Sequence, residues 1–460
     1  MSRPRIAVIG GGLTGLATAW HLRADAEVVL LEAAGRPGGQ IRTIELEDGP
    51  LDVGADALLL RQPAGRELLH ALGFGEDELV TPRASRVLLW LDRRLRELPA
   101  GTVFGVPTDL GALARSRVLS PGDLAYAASE RVRPRRQVVG DRSVSDLVGE
   151  RFGRAVVERL VDPLLGGVYA GDPARLSAQA TLAPVWEAAA DHRSVLDGLR
   201  AQRRRTARGG GPVFATVRDG LGRVVERLST ALGDRIRTHS PVRSVRARRG
   251  GVVLHLDEGP EVFDRAVLAV PPAAAAALLA ADWPALAREL AGVRSASVGV
   301  VALAYAAGDA MALPDASGVL VPRTEGRLTK AITVGAVKWP HLASRERVLL
   351  RASVGRIDDH RALDLDDDEL VERVDAEVRW ALGLSAPARE RVVTRWPDAL
   401  PQYDVGHQAR LDRIHHLLTQ RPGGVHLGGA MFDGVGLSAR AADAARLAAE
   451  VREELASSTR

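Results

Sequence analysis

The chain has 460 residues, of which 46% are hydrophobic and none is cysteine. This composition is typical of a folded globular protein, and the length exceeds that of a single core, so we expect two or three domains. The absence of cysteine excludes disulfides, iron–sulfur clusters, thiolate metal sites and cysteine nucleophiles. The 62 basic and 58 acidic residues give a net charge of +4.

Arginine supplies nearly all of the positive charge, since Lys330 and Lys338 are the only lysines. A general bias toward arginine is the favoured explanation, and contact of some arginines with anionic substrates or a membrane surface is the alternative. The sequence shows no signal-peptide pattern and no uninterrupted apolar run of about 18 residues. We therefore expect a cytoplasmic protein, with peripheral membrane association as the alternative, and no nucleic-acid partner.

Four apolar residues, Ile6–Ile9, predict a short buried strand that runs directly into a glycine turn and a helix. The motif G-x-G-x-x-G spans Gly10 to Gly15, in the strand–turn–helix context that binds the diphosphate of a dinucleotide. A second predicted strand, 28–31, ends at Glu32, where an acid accepts hydrogen bonds from a ribose. The sequence therefore predicts a dinucleotide site, and the alternative is a glycine-rich turn without a ligand.

The segment after Glu32 differs from the nicotinamide dehydrogenases, which usually continue with another strand–helix unit. Gly38 and Gly39 allow the backbone to approach a ligand closely, and Arg36 and Arg42 can reach phosphate. Alternating residues around Asp48-Gly49 then predict a β-hairpin, and a helix is predicted from 64 to 72.

From 110 to about 205 the pattern is mostly helical. Basic clusters at 131–136 and 200–208 lie in or beside this block, and a solvated face is favoured there over contact with anionic lipid or an acidic partner. The sequence 162–177 contains Gly-Gly-Val-Tyr-Ala-Gly, which we predict to be a loop between helices. Such a loop either lines a pocket or forms a packed turn.

The second half of the chain alternates between strands and helices. The sequence predicts short strands over 241–263 and a strand ending at Pro271, which form a β-meander next to the first sheet. It also predicts strands within 297–353, which form a second sheet, and a helix over 367–382. The stretch 424–438 predicts a strand, a glycine-rich loop and the start of a helix. The positive N-terminus of that helix would point at a flat ligand.

Several of these segments resemble known families. The spacing of Glu32, Arg36, Gly38 and Gly39 resembles the flavoproteins with two dinucleotide-binding domains, which include amine oxidases, carotene desaturases and protoporphyrinogen oxidases. The resemblance implies non-covalent FAD in place of NAD. The Gly-Val-Tyr-Ala-Gly…Leu-Ser segment is similar to the protoporphyrinogen oxidases in particular, as are 318–322, 337–340 and 400–407.

The resemblance implies an α/β (α+β) fold of the amine-oxidase and p-hydroxybenzoate-hydroxylase type. A discontinuous Rossmann-like FAD-binding domain would comprise 1–80, 206–290 and 395–460. A β-sheet substrate-binding domain would comprise 81–104 and 291–394, and a helical domain 105–205.

The motifs and the resemblance together assign a set of cofactor-binding residues. Most lie in the first glycine loop, in the segment after Glu32 and in the C-terminal glycine loop, and the backbone at Val242 would face the adenine. The full set is Gly10, Gly11, Gly12, Leu13, Thr14, Gly15, Glu32, Ala33, Arg36, Gly38, Gly39, Gln40, Gly54, Ala55, Asp56, Val242, Trp396, Asp433, Gly434, Val435 and Gly436.

For the substrate, Arg86 matches an arginine of the family and Arg61 is a second choice for binding carboxylates. Val168, Tyr169 and Leu320 would form an apolar slot. No metal site is expected, because the 11 histidines lack metal-ligand spacing. No side chain is assigned as a catalytic base, because a flavin carries the chemistry itself.

The resemblance implies a six-electron oxidation of a porphyrinogen in three two-electron steps, with O2 reoxidising the flavin and H2O2 as product. Coproporphyrinogen III is favoured over protoporphyrinogen IX, because the sequence lacks a targeting peptide and resembles the bacterial branch. The alternatives are an amine or carotenoid oxidase of the same superfamily, or a non-catalytic porphyrin carrier. Transfer of the product to a ferrochelatase is a further expectation.

Overall fold

The structure is a computed structural model that describes residues 3–46, 49–83, 86–134, 138–206, 212–311, 313–420 and 424–458. A five-stranded parallel sheet carries the first glycine motif. Its strands come from separate parts of the chain and are ordered, across the sheet, Ile236–Arg237, Glu27–Leu31, Arg5–Ile9, Arg265–Leu268 and Val425–Leu427.

Both faces of this sheet are covered, which explains why its strands are continuously apolar. Successive side chains of a strand point to opposite faces, so Ile6 and Val8 enter one core and Ala7 and Ile9 the other. The helices on the first face are Leu13–Leu22, Pro63–Ala71, Gly222–Leu232 and Leu437–Ser458. The second face packs on the helices Pro272–Leu279, Pro284–Ala291 and His407–Gln420 and on the meander Val242–Arg248, Gly251–Leu256 and Gly259–Phe263.

A seven-stranded mixed sheet forms the second layer of the molecule. Its order is Glu390–Pro401, Ser295–Ala306, Arg347–Val354, Thr329–Val334, Gly318–Leu320, Val87–Leu91 and Arg94–Glu97. The helix Asp367–Leu382, predicted over the same residues, packs against it. The predicted boundary at 395 falls inside the strand Glu390–Pro401, which leads from this sheet toward the cofactor domain.

Helices between 110 and 206 surround a third core. Serine or aspartate side chains cap several of them by accepting N–H groups of the first turn, as Ser143 does for Asp146. The helices are Leu110–Ser116, Pro121–Ala128, Val144–Phe152, Arg154–Val156, Asp162–Tyr169, Ala178–Thr181, Ala183–Asp191 and Val195–Thr206.

Smaller elements join these units. They are the hairpin Thr43–Leu46 and Gly49–Asp52, the hairpin Thr102–Val103 and Val106–Pro107, and the three-stranded sheet Leu58–Leu59, Phe214–Val217 and Leu79–Val80. Asp48, part of the predicted hairpin turn, lies outside the described residues, as do 135–136 and 207–208 of the two basic clusters.

The prediction of a loop over Gly166–Tyr169 is wrong, because the helix Asp162–Tyr169 continues through both glycines. The glycines serve close packing, since a Cβ on Gly166 would lie 2.3 Å from Nη1 of Arg356. The chain turns one residue later, where Ala170 adopts a left-handed conformation with φ of 49°.

No helix in the described ranges is long and apolar enough to cross a membrane. Within the same ranges, no group of three or more His, Asp or Glu side chains is placed to hold a metal ion.

Candidate functional site

A cavity of about 610 Å³ begins at the first glycine loop and reaches the C-terminal glycine loop. It lies at the carboxyl ends of the central parallel strands, where open α/β sheets bind their ligands. Twelve of the predicted cofactor residues line it: Gly10, Gly12, Leu13, Thr14, Glu32, Ala33, Gly38, Gly39, Gln40, Ala55, Val242 and Val435.

The first glycine loop is shaped by steric limits at Gly10 and Gly15, whereas Gly12 faces open space. Gly10 has a φ of 101° and donates its N–H to the carbonyl of Leu31 at 2.9 Å. A Cβ on Gly15 would lie 1.9 Å from the carbonyl oxygen of Gly10, so the helix can approach the strand only with glycine there. A Cβ on Gly12 would meet no atom of the described chain within 4 Å, because this position faces the cavity.

These features fit a dinucleotide diphosphate. The loop presents backbone N–H groups and the start of the helix Leu13–Leu22, both of which favour an anion. The buried hydroxyl of Thr14 lines the cavity and has no hydrogen-bond partner among the described residues, so it can donate to a phosphate oxygen.

Glu32 is held rigidly at the wall of the cavity. Its carboxylate accepts the N–H of Gly11 at 2.6 Å and that of Ala34 at 2.8 Å. The remaining lone pairs are available to ribose hydroxyls, as the motif predicts. Val242 lines the same cavity together with Ser240 and Pro241.

The segment after Glu32 closes over the first loop. The N–H of Gly38 donates to the carbonyl of Gly11 at 2.7 Å, and a Cβ on Gly39 would lie 3.1 Å from the Cα of Gly12. Arg36 does not line the cavity and instead donates to the carbonyls of Pro37, Gly39 and Ile41. The structure therefore places Arg36 as a brace of this loop.

Further predicted cofactor residues lie behind the lining. Gly54 packs so closely that a Cβ would lie 1.9 Å from the carbonyl oxygen of Gln40. Trp396 stands beside Gly54 and donates its indole N–H to the carbonyl of Val53 at 2.9 Å. Besides Arg36, the predicted residues that do not line the cavity are Gly11, Gly15, Gly54, Asp56, Trp396, Asp433, Gly434 and Gly436.

Asp56 lies in a charged cluster that sequence reasoning did not foresee. Its carboxylate is 2.7 Å from Nζ of Lys338 and 3.0 Å from Nη1 of Arg351, and Arg351 also donates to the carbonyl of Gly54 at 2.5 Å. Burial disfavours the charged carboxylate, but the two cations outweigh burial and lower the pKa of Asp56 to about 2. Asp56 is therefore ionised and paired at neutral pH.

Tyr403 connects the C-terminal glycine loop to the segment that contains Tyr169. Its hydroxyl donates to the carbonyl of Ala430 at 2.5 Å and accepts the N–H of Gly434 at 2.9 Å, so it fastens the C-terminal glycine loop. Its ring stacks on His407 with centroids 4.3 Å apart, and it lies 5.6 Å from the ring of Tyr169. The preceding residue, Gln402, donates to the carbonyl of Tyr169 at 2.9 Å.

His407 supports the same loop through a hydrogen bond to its backbone. Its Nε2 lies 2.9 Å from the carbonyl of Met431 and therefore carries the proton, since a carbonyl can only accept. Burial lowers the pKa of His407, so the ring is neutral. The segment resembling the family at 400–407 was visible in the sequence, but these partners, about 30 residues away, were not.

The predicted substrate residues are distributed unevenly. Tyr169 is buried, and burial raises the pKa of its hydroxyl to about 12. Val168 is 42% exposed, and Leu320 lies 3.7 Å from a Cβ built on the neighbouring Gly167. Tyr169 and Leu320 lie in the same apolar core, and Val168 precedes Tyr169 in the chain.

The two arginines predicted to bind carboxylates of the substrate do not line the cavity. Arg86 is exposed at an outer strand of the second sheet, where it contacts Glu97 and the carbonyl of Asp315. Arg61 is exposed just before the helix Pro63–Ala71. Neither lines the cavity described above.

A comparison with protein families identifies the group to which this architecture belongs. Residues 13–451 match the family described as flavin containing amine oxidoreductase. The chain belongs to this flavoprotein family. Because the cavity is built for a dinucleotide and FAD is the flavin dinucleotide, the cofactor of this chain is FAD.

Relatives of known name match along the whole chain. The coproporphyrinogen III oxidase of Mycobacterium tuberculosis is 37% identical over 456 residues, which cover 97% of both chains. That of Bacillus subtilis is 30% identical over 449 residues, covering 95% of both.

Solved structures have the same fold. A proposed protoporphyrinogen oxidase from Exiguobacterium sp. 255-15 matches with a TM-score of 0.88 and 28% identity, covering 99% of this chain and 100% of the other. The cyclohexylamine oxidase of Brevibacterium oxydans has a TM-score of 0.72 at 17% identity, over 98% of this chain and 99% of its own, and shares the fold alone.

Proposed function

We propose that this chain is an FAD-dependent coproporphyrinogen III oxidase, which converts coproporphyrinogen III to coproporphyrin III with O2 and releases H2O2. The observation that carries the proposal is the full-length similarity to enzymes of that name, together with a dinucleotide cavity that reaches Val435, which packs against the same core as Tyr169. The reaction belongs to heme biosynthesis.

Bound FAD would supply a two-electron acceptor, used three times for the six electrons of each porphyrinogen. The residues around Gly10–Gly15, Glu32 and Val242 would hold the dinucleotide without a covalent bond. Tyr403 would hold the C-terminal glycine loop in place through Ala430 and Gly434. Asp56 is already paired with two cations, so we do not assign it the proton lost from a pyrrole N–H, which would pass to water.

The macrocycle would lie against Val168, Tyr169 and Leu320, of which Tyr169 and Leu320 belong to one apolar core and Val168 is exposed beside Tyr169 in the chain. Arg61 and Arg86 remain proposals for the propionates. The ion pair of Arg86 with Glu97 leaves Arg86 less support than Arg61, because Glu97 already occupies its guanidinium.

We further propose a cytoplasmic location, with the helical subdomain as the surface for peripheral contact with a membrane or transfer to a ferrochelatase. Val132 and Val139, each 74% exposed, support such a contact. Arg131 pairs with Asp197 and Arg133 donates to backbone carbonyls, which supports a solvated face for this part of the basic cluster.

The test is oxidation by the purified holoenzyme under air, with porphyrin fluorescence and H2O2 recorded together. We expect coproporphyrinogen III to be oxidised with three H2O2 per porphyrin, and amines not to be oxidised. Gly12→Val, which fills the space facing the cavity, is the flavin-free control.

Protoporphyrinogen IX is the second candidate substrate, favoured by the structural similarity to the Exiguobacterium protein. A higher kcat/KM for protoporphyrinogen IX than for coproporphyrinogen III would reverse the assignment. Tight porphyrin binding without turnover of either substrate would overturn the oxidase proposal and favour a carrier.

A further inference from the structure

Arg440 is a buried cation at the cofactor cavity that none of the motifs predicted. It lies in the first turns of the helix Leu437–Ser458, is 6% exposed, and lines the cavity. A buried guanidinium is stable only when its donors are bonded and its charge is balanced.

The described residues bond only one of the three nitrogens of this guanidinium. Nη1 of Arg440 donates to Asp443 at 3.2 Å, whereas Nε and Nη2 are buried without a hydrogen-bond partner in the described chain. Asp443 is shared, since its carboxylate also accepts the N–H of Gly429 at 2.7 Å and Nη2 of Arg446 at 2.5 Å. Arg446 has Glu450 as a further partner, whereas two donors of Arg440 remain unbonded at this wall of the cavity.

A chain of contacts places this wall near the first glycine loop. Asp443 holds both Arg440 and Gly429. A Cβ on Gly429 would lie 3.7 Å from the carbonyl of Val270, and a Cβ on Gly10 would lie 2.9 Å from the side chain of Val270. Helical side chains lean toward the N-terminus of their helix, which directs Arg440 toward the same region.

A second helix converges on this region. Leu13 and Leu437, the first residues of the helices Leu13–Leu22 and Leu437–Ser458, both line the cavity. Thr18 lies 3.5 Å from the carbonyl of Ala444, so the two helices pack side by side with both N-termini at the cavity. The partial positive charges of both helices add to that of Arg440.

We propose that Arg440 binds the diphosphate of FAD, and that Asp443 positions it by holding its guanidinium and Gly429 together. The two unpartnered nitrogens, Nε and Nη2, are the donors to phosphate oxygens. In this arrangement Thr14 and Arg440 approach the diphosphate from different helices, and the cofactor completes the hydrogen bonding of both.

The test compares FAD binding by holoenzymes carrying Arg440→Met, Arg440→Lys or Arg446→Met. Arg446 contacts the same Asp443 but does not line the cavity, so Arg446→Met is the matched control. Dilution of each holoenzyme releases fluorescent FAD and gives its Kd, and the flavin reduction potential is measured on the same preparations.

We expect Arg440→Met to raise the Kd for FAD about 10- to 100-fold, the range for loss of a charged hydrogen bond. Arg440→Lys should raise it less, because the charge is kept, and Arg446→Met should leave it within about twofold. The reduction potential should stay unchanged, since the diphosphate is remote from the redox centre.

An unchanged Kd in Arg440→Met would overturn the proposal, as would an equal loss of affinity in Arg446→Met, which would indicate general loosening of the helix. A shifted reduction potential at unchanged Kd would assign Arg440 to the flavin ring instead. If Arg440→Met does not fold, the Kd of Arg440→Lys relative to Arg446→Met decides between these outcomes.

Discussion

The two ends of the site are built from different parts of the polypeptide. At the dinucleotide end, backbone groups and glycines do most of the shaping, through Gly10, Gly12 and Gly15. At the other end, side chains distant in sequence determine the geometry, as Tyr403 does for Ala430 and Gly434.

The difference explains how each end responds to mutation. A backbone cradle tolerates no added atoms at its contact points, because the neighbouring carbonyls cannot move without moving a strand. A side-chain network can lose one member and keep its fold, at the cost of that member's hydrogen bonds. The following four predictions separate the two ends, beginning with the largest effect.

Gly15→Ala should destabilise the protein by about 3 kcal/mol and abolish FAD retention, because its Cβ would lie 1.9 Å from the carbonyl of Gly10. Urea unfolding and the flavin-to-protein absorbance ratio measure the two effects. Gly12→Ala is the matched variant, for which we expect near-normal folding and weaker FAD binding. Equal stability of Gly15→Ala and wild type would contradict the steric account of the cradle.

Asp56→Asn should destabilise the protein by about 2 kcal/mol at pH 7, because Lys338 and Arg351 lose their shared carboxylate. The folded-state pKa of about 2 lies below the ordinary value of 3.8, so this stabilisation is present above about pH 4 and is lost as the pH falls through about 2.

Urea unfolding at pH 7 and pH 3 measures this effect, and the difference between Asp56→Asn and wild type should be smaller at pH 3. Glu97→Gln, in the exposed pair with Arg86, is the control and should change stability by less than about 0.5 kcal/mol. A pH-independent difference would argue against the ion-pair cluster.

Tyr403→Phe should cost about 1–2 kcal/mol, because the N–H of Gly434 and the carbonyl of Ala430 lose their common partner. A shift of the flavin absorption bands should accompany this loss if the C-terminal loop supports the ring. Tyr126→Phe, which removes an exposed hydroxyl 3.4 Å from the carbonyl of Glu150, is the control. Unaltered spectra would exclude Tyr403 from positioning the loop.

Asp52→Asn should have the smallest effect, within about 1 kcal/mol at pH 7. Burial raises the pKa of Asp52 to about 6, above the ordinary 3.8 of the unfolded chain. The neutral acid therefore contributes stability at low pH that is lost as the pH rises from about 4 through about 6. The variant should flatten this part of the stability profile, and an unchanged slope would contradict the raised pKa.

The same contrast determines what the sequence could predict. The glycine spacing, Glu32 and the strand–helix order around them are local steric requirements, so they could be recognised directly, and the fold class was implied by the family resemblance. Tyr403 has partners that only folding brings to it, and Arg440 is distinguished by its place at the cavity, which its local sequence does not indicate.

One local prediction was wrong, and one residue makes contacts that its charge did not indicate. Gly166 and Gly167 favoured a loop, yet the helix Asp162–Tyr169 runs through both, and Gly166 packs closely against the buried Arg356. Arg36 had the charge to reach phosphate, but the carbonyls of its own loop were closer partners. Propensity and charge indicate which interactions a residue can make, and its tertiary neighbours determine which of these it makes.

The order of strands in the parallel sheet has a consequence for synthesis of the protein. The edge strand Val425–Leu427 pairs with Arg265–Leu268, and the helix Leu437–Ser458 packs against the helix Leu13–Leu22. During translation, more than 400 further residues must therefore be synthesised after the first glycine loop before its pocket can close. Such long-range pairing slows folding, and it makes cofactor capture a late event that coincides with completion of the core.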